Sequence, residues 1–530
     1  MNAFSQPAPV TAREPLTPVS ASPPPLTSLR RLLARPAFIF AVALTLRLAT
    51  AAIFLGGGHE TIDSVGFSNK FTEGYEMVGI ARSLTSGHGF SAPWPGAGPT
   101  AWITPVMPAI LAADMLVFGL HSRATLIVFI IFNELCSALT IFPVFFAARR
   151  IAGDRISEDI GADRIGGLAA WLCVLSPVAG LAACKLIWYT TLSGLLAALL
   201  LWATLSVRDS EKPVAWIGYG LLWGTQLMTH PSFLVWMPVA LLWLVWARPR
   251  PKSTALPALA CFTAVLCCVP WTLRNFAVFH HFVPFRSNFG LELWRYNHGG
   301  EGAHPNRPGA EHDAFASLGE YAYTQKKEYE ALAWIGKHPG GFVQATAQRM
   351  MSFWLTAHPL TTFARRSEWF FKVKSLYICA LLVMSVGGFN TIRRERPEYF
   401  GLLASFPAVF PLLYYITLAH DFHRFPIDPV LAIIAAFAAT AWLRTELSDD
   451  SSVSARINTA FINAADRGNY DQVRDPHVSG RSGEATDRPK SYYGFIGKAR
   501  WKRLAGQVGS CPVRLRSPAH SVVCRCVSAL

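Results

Sequence analysis

The chain has 530 residues, 52% of them hydrophobic and only 15% charged, where soluble domains carry about 25% charged residues. The deficit is concentrated in long apolar runs separated by short charged stretches, a pattern that excludes a soluble enzyme. The net charge of +15 sits in short clusters at the ends of those runs, Arg30–Arg31, Arg149–Arg150, Arg248 to Lys252 and Arg393 to Arg396, and not on one face or stripe, so nucleic acid is excluded as a partner.

Residues 1–35 are rich in Pro, Ser and Thr and lack an apolar run; they read as a disordered cytoplasmic tail. Apolar runs then predict membrane spans at 37–55, 124–148, 166–184, 186–206, 214–229, 232–247, 254–273, 374–391, 398–419 and 426–443. The stretch 104–120 is also apolar but carries Pro105, Pro108 and Asp114. The fold expected is all-α, a polytopic transmembrane bundle of about 10–12 helices with extracytoplasmic loops carrying short helices. The bundle domain covers 36–445, and the polar, basic segment 446–530 reads as a largely disordered C-terminal tail.

Lys and Arg mark cytoplasmic loops. Arg30, Arg31 and Arg35 put the N-terminus inside, so 56–103 is delivered outside. The clusters at 248–252 and 393–396 are inside, which makes 274–370 an outside loop, and 420–425 is outside as well. With Arg149–Arg150 inside and His121–Ser122 outside, 104–120 is expected not to cross fully; the alternative is that one charge cluster breaks the rule. Within 274–370, Tyr321, Tyr329, Leu332 and Ile335 recur at helical spacing and predict an amphipathic helix.

Candidate chemistry lies in the outside loops. Glu73 and Glu76 are three residues apart and share a face if 73–85 is helical. Two carboxylates at a membrane surface can supply a general base or hold a metal; a solvated helix face is the bland alternative. Arg286, Asn288 and Glu292 with Trp294, Tyr296 and Asn297 mix amides, charge and aromatic rings, as a sugar site needs. His304, His338 and His358 each precede Pro and read as turn or helix-start residues. Neither a G-x-G-x-x-G nor a phosphate-loop pattern is present.

The order of these pieces resembles the membrane glycosyltransferases of the GT-C superfamily, over roughly 35–445. It is most similar to the bacterial branch related to dolichyl-phosphate-mannose protein mannosyltransferases and lipid A aminoarabinose transferases. The resemblance rests on an acidic residue in the first outside loop, then Ile80–Ala81–Arg82–Ser83–Leu84 to Gly87–His88–Gly89–Phe90, then Thr104–Pro105 and Pro108. A late outside loop, His420–Asp421–Phe422–His423–Arg424–Phe425–Pro426, stands where the family has an R-Y-x-x-P-like motif, with Phe422 at the place of its Arg.

What the resemblance implies is transfer of a sugar from a polyprenyl-phosphate donor to a hydroxyl of a glycan, lipid or protein acceptor, with inversion, at the periplasmic face of a bacterial inner membrane. Glu76 is expected as base with Glu73 second, and Arg424, His423, His420, Arg286, Asn288, Glu292, Asn297 and His88 as substrate-binding residues. The leaving phosphate needs a cation, Arg424 first and Arg286 second. No cofactor is demanded. A divalent ion near Glu76 is compatible with the acidic pair, though no His-rich ligand set calls for one. The rival readings are a flippase or transporter for a lipid-linked sugar and a non-catalytic membrane scaffold.

Overall fold

The computed structural model describes residues 32–157, 161–248, 254–299, 302–355 and 369–444. Most of 1–35, the whole of 446–530 and His358 lie outside the described residues. Among the described residues the secondary structure is helical, with no β-strand beyond isolated bridges.

Among the described residues, seven helices are long and apolar enough to cross a membrane: Pro36–Leu55, Arg123–Gly153, Thr190–Val207, Ala255–Phe279, Lys372–Glu395, Pro397–Ile416 and Phe422–Arg444. Ala162–Val174 and Pro177–Lys185 meet at 48° across Leu175 and Ser176 and make an eighth, broken span when counted as one. Proline lacks the N–H that would continue the helical ladder, which accounts for a bend at that place. Two further predicted spans are present as the 17-residue helix Pro213–Thr229 and the run Pro231–Ala247. The chain is a polytopic helical membrane protein.

The sequence of one span shows why the bundle holds. In Ala255–Phe279 the exposed side chains Phe262, Val265, Leu266, Val269, Leu273 and Phe276 follow helical spacing and form one apolar stripe. Such a stripe on a long helix faces lipid. The opposite side buries Ala260, Ala264 and Cys268 against Pro213–Thr229, where Gly220 and Gly224 sit so close that an added Cβ would lie 2.5 Å from the Ala260 carbonyl and 2.4 Å from Cys267 Cβ. Lipid offers no hydrophobic drive between helices, so such small-residue contacts supply the packing.

The helix Val106–Phe118 has 13 residues, a rise of about 20 Å against a hydrocarbon core of about 30 Å. It falls short of that core by length and packs against the helix Tyr75–Thr85, the two following one another in the chain. Short helices fill the second long loop: Phe289–Trp294, Ala310–Leu318, Glu320–Lys337 and Pro339–Leu355. Glu320–Lys337 presents part of the expected face, since Tyr321 and Ile335 pack against the core. Tyr329 and Leu332 are exposed, and the packed face holds Tyr323, Thr324, Lys327 and Ala331. The reason is Lys327, whose ammonium lies 3.8 Å from the Trp294 ring centroid and pairs with Glu311 and Glu330, so a charged residue occupies the interior seam.

Candidate active site

One cavity of about 1060 Å³ opens at one end of the bundle. Its lining comes from 66–76, 188–189, 231–232, 285–295, 302–308 and 413–423, all of them connections between helices or helix ends.

The acidic wall is set by how the first loop docks. Thr72 N–H donates to the Lys185 carbonyl at 3.0 Å and Ile187 N–H to the Glu73 carbonyl at 3.2 Å, pinning 72–73 to the end of the broken span. Gly74 then turns the chain at φ +132°, in the left-handed region open to glycine, and a Cβ there would lie 2.5 Å from the Ile187 carbonyl. The helix Tyr75–Thr85 starts at once, with Glu76 in its first turn, where the helix dipole favours a carboxylate.

The two oxygens of Glu76 have different surroundings. Oε1 accepts from Trp102 Nε1 at 3.0 Å and from the Tyr75 hydroxyl at 3.1 Å, and His304 Nε2 stands 3.6 Å away. Oε2 has no hydrogen-bond partner among the described residues. Burial pushes the Glu76 carboxyl up to about 7, against the opposing pull of Arg286 and the hydrogen bonds from Trp102 and Tyr75. Glu73 is pushed up to about 8 by burial and by the facing carboxylates of Glu76 and Glu292.

Arg286 stands opposite. Its Nε donates to the Trp102 carbonyl at 2.7 Å and its Nη1 to the Tyr189 hydroxyl at 3.3 Å. Asn288 donates to Glu292 at 3.3 Å. The loops carrying Trp102 and Arg286 are clamped by one buried carboxylate: Glu320 accepts from Ala101 N–H at 2.7 Å and from the Ser287 hydroxyl at 2.6 Å. Tyr414 stacks on His423 with centroids 4.6 Å apart, and its hydroxyl lies 2.6 Å from His230 Nε2.

The cavity therefore gathers Glu73, Glu76, Arg286, Asn288, Glu292, His420 and His423 from the sequence-derived set. It does not include Arg424, Asn297 or His88. Arg424 is fully buried, with Nε donating to Asp428 at 2.7 Å and Nη1 to the Trp354 carbonyl at 2.9 Å. Asn297 is spent on the Leu293 and Ile416 carbonyls and on Arg349. His88 is exposed beyond the end of Tyr75–Thr85. Among the described residues no group of three or more His, Cys, Asp or Glu is arranged to hold a metal ion.

His304 belongs to the site, whereas its sequence context reads as turn chemistry. Its Nδ1 lies 2.9 Å from Asn306 Oδ1 and 3.2 Å from the Asn306 N–H, and its Nε2 faces Glu76 Oε1. Trp94 and Trp102 hold its ring edge-on at 5.4 and 5.6 Å. Burial and the charge of Arg295 lower its titration to about 4, so it is neutral at physiological pH. Tyr75, Trp102, Arg295 and Tyr414 join it as site residues without a local sequence signal; only the aromatic richness of the outside loops hints at them.

No protein-family model and no curated protein matches this chain. Among solved structures it is similar to the oligosaccharyltransferase of Archaeoglobus fulgidus in the apo form, with 12% identity, a TM-score of 0.45, and coverage of 79% of this chain and 52% of that one. The same archaeal enzyme, AglB, in complex with an inhibitory peptide and a dolichol-phosphate matches at 12% identity and TM-score 0.45, over 80% and 54%. ArnT from Cupriavidus metallidurans bound to undecaprenyl phosphate matches at 13% identity and TM-score 0.35, over 76% and 77%. The chain spans about half the length of the archaeal enzyme. By its own geometry this chain is a multi-pass helical membrane protein whose helix connections enclose one large cavity, acidic on one wall and cationic on the other.

Proposed function

We propose that the chain is an integral membrane glycosyltransferase of GT-C type. It moves a sugar from a polyprenyl-phosphate donor to an acceptor hydroxyl on a glycan, lipid or protein, with inversion, at the periplasmic face of a bacterial inner membrane. The observation that carries this reading is Glu76: a buried carboxylate with one oxygen held by Trp102 and Tyr75 and the other unpartnered, in a cavity that also holds Arg286.

The chemistry follows from that arrangement. The acceptor hydroxyl gives its proton to Glu76 Oε2 while its oxygen attacks the anomeric carbon from the face opposite the phosphate. The bond from that carbon to the phosphate oxygen breaks, and the lipid phosphate leaves with the electron pair. General-base assistance of this kind is worth about 10²–10⁴-fold. The cation for the leaving phosphate is Arg286, whose Nη2 has no partner among the described residues; Arg424 is already paired with Asp428. Tyr189, Tyr414 and Trp188 on the walls suit the apolar faces of a sugar.

Sidedness supports the same reading. With the N-terminus inside and 106–118 not crossing, the connections at 56–122, 186–189, 230–231, 280–368 and 417–421 all fall outside, and these are the segments that meet at the cavity.

The test is sugar release from radiolabelled polyprenyl-phosphate monosaccharides by purified protein in lipid. Turnover by the wild type and none by Glu76→Gln, with equal melting temperatures, is the expected result. Equal turnover by both would overturn the role of Glu76. Movement of the labelled lipid across the bilayer without sugar transfer would replace the reading with a flippase.

A further inference from the structure

The cavity has a second cationic centre that the reaction above does not use. Arg295 follows the helix Phe289–Trp294 and lines the cavity. Its Nε is buried without a hydrogen-bond partner, and its guanidinium makes no side-chain hydrogen bond or ion pair among the described residues; it lies over the Tyr296 ring, 5.6 Å from the centroid. An arginine left so inside a protein is costly, because a desolvated donor normally finds an acceptor.

Arg307 lines the same part of the cavity. Two backbone bonds bring it there: Gly302 N–H donates to the Arg295 carbonyl at 2.8 Å, and Arg307 N–H to the His304 carbonyl at 3.2 Å. Both arginines act on His304, and Arg295 also acts on Glu73. Arg286 has a different circle, the Trp102 carbonyl and Tyr189. Glu76 is under the influence of Arg286 and lies 3.6 Å from His304 Nε2.

We propose that Arg295 and Arg307, with Asn306 beside them, form an anion subsite for the acceptor, so that the acceptor carries a phosphate or carboxylate close to the hydroxyl that receives the sugar. The proposal rests on the donor phosphate lying at Arg286. A planar guanidinium matches either oxyanion with two parallel N–H bonds. The acids that share this region are Glu73 and Glu292. Glu292 is engaged by Asn288, and Glu73, protonated through most of the neutral range, offers an O–H to an anion instead of repelling it. The neutral His304 adds no competing charge and separates the subsite from Glu76.

The experiment titrates the full chain in lipid nanodiscs with inorganic phosphate and, separately, with glucuronate, each with and without saturating undecaprenyl phosphate. Wild type is expected to bind at least one small anion, with an affinity that undecaprenyl phosphate leaves within about twofold. The double variant Arg295→Gln/Arg307→Gln should weaken the small anion about tenfold or more and leave the lipid phosphate within about twofold. Arg286→Gln should do the reverse. The better of the two small anions identifies the acceptor group as phosphate or carboxylate. Three results overturn the proposal: no small-anion binding by wild type at millimolar concentration, equal binding by the double variant, or displacement of the small anion by undecaprenyl phosphate. The last would assign both cationic centres to the donor, as a diphosphate needs. Loss of lipid-phosphate binding in every protein, with small-anion binding still dependent on Arg295, would instead sink the donor reading and leave the anion site standing. Melting temperatures of all variants separate these outcomes from misfolding.

Discussion

In the proposed reaction Glu76 acts only when ionised, and its carboxyl is raised to about 7 by burial. The proton acceptor is therefore absent below that pH and present above it, so kcat/KM should rise with pH through about 7 on the acid limb. Trp102→Phe removes a donor that favours the ionised form, and the limb should then move to higher pH, as a pH-rate profile with Glu76→Asp alongside would measure. An unmoved limb would mean that Glu76 is not the titrating base. Much of this wall was legible: Glu73 and Glu76 stand in the expected loop, three residues apart. His304 was not legible, because the proline after it is a sufficient local explanation and only the fold brings it to Glu76 across more than two hundred residues. The isolation of Arg424 had a signal that the motif obscured: Asp428 lies four residues on, the spacing of a helical ion pair.

At the scale of elements, the site depends on loops held against short helices. Gly290 touches Glu320–Lys337 so closely that a Cβ would lie 2.0 Å from the Thr324 carbonyl, and backbone cannot yield as a side chain can. Gly290→Ala should push Phe289–Trp294 away and cost about 1–3 kcal/mol, read as a lower melting temperature together with weaker donor binding. Glu320 gives a sharper test. Glu320→Gln keeps an acceptor for Ala101 N–H and the Ser287 hydroxyl, so activity and melting temperature should stay near wild type. Glu320→Ala strands both donors, at a cost of about 1–3 kcal/mol each. Equal behaviour of the two variants would mean that the clamp is unimportant. The helix Glu320–Lys337 itself was legible from its periodicity, but its packed face only in part. Apolar spacing nominated Tyr329 and Leu332, whereas the seam is chosen by Trp294 and the acids that hold Lys327, partners that no local window contains.

At the scale of the molecule, the spans were the most legible feature, since each needs only its own apolar length. The count of crossings was harder, because Val106–Phe118 has the composition of a span and lacks its length. A single cysteine at residue 122 should label from the same side as one at 281 and from the opposite side to one at 394, read with a membrane-impermeant maleimide in oriented vesicles. Labelling of 122 together with 394 would mean that 106–118 crosses, and would undo the sidedness proposed for the cavity.

The lining of the cavity is built from chain reversals, while the interiors of the spans build the scaffold. Specificity and anchorage are therefore written in separate stretches of the gene. Loop 302–308 can be exchanged for one of another sequence, and the recipient should still insert and fold while accepting a different molecule. A lineage carrying this bundle can change what its cavity accepts by drift in short exposed segments, without renegotiating its contract with the lipid.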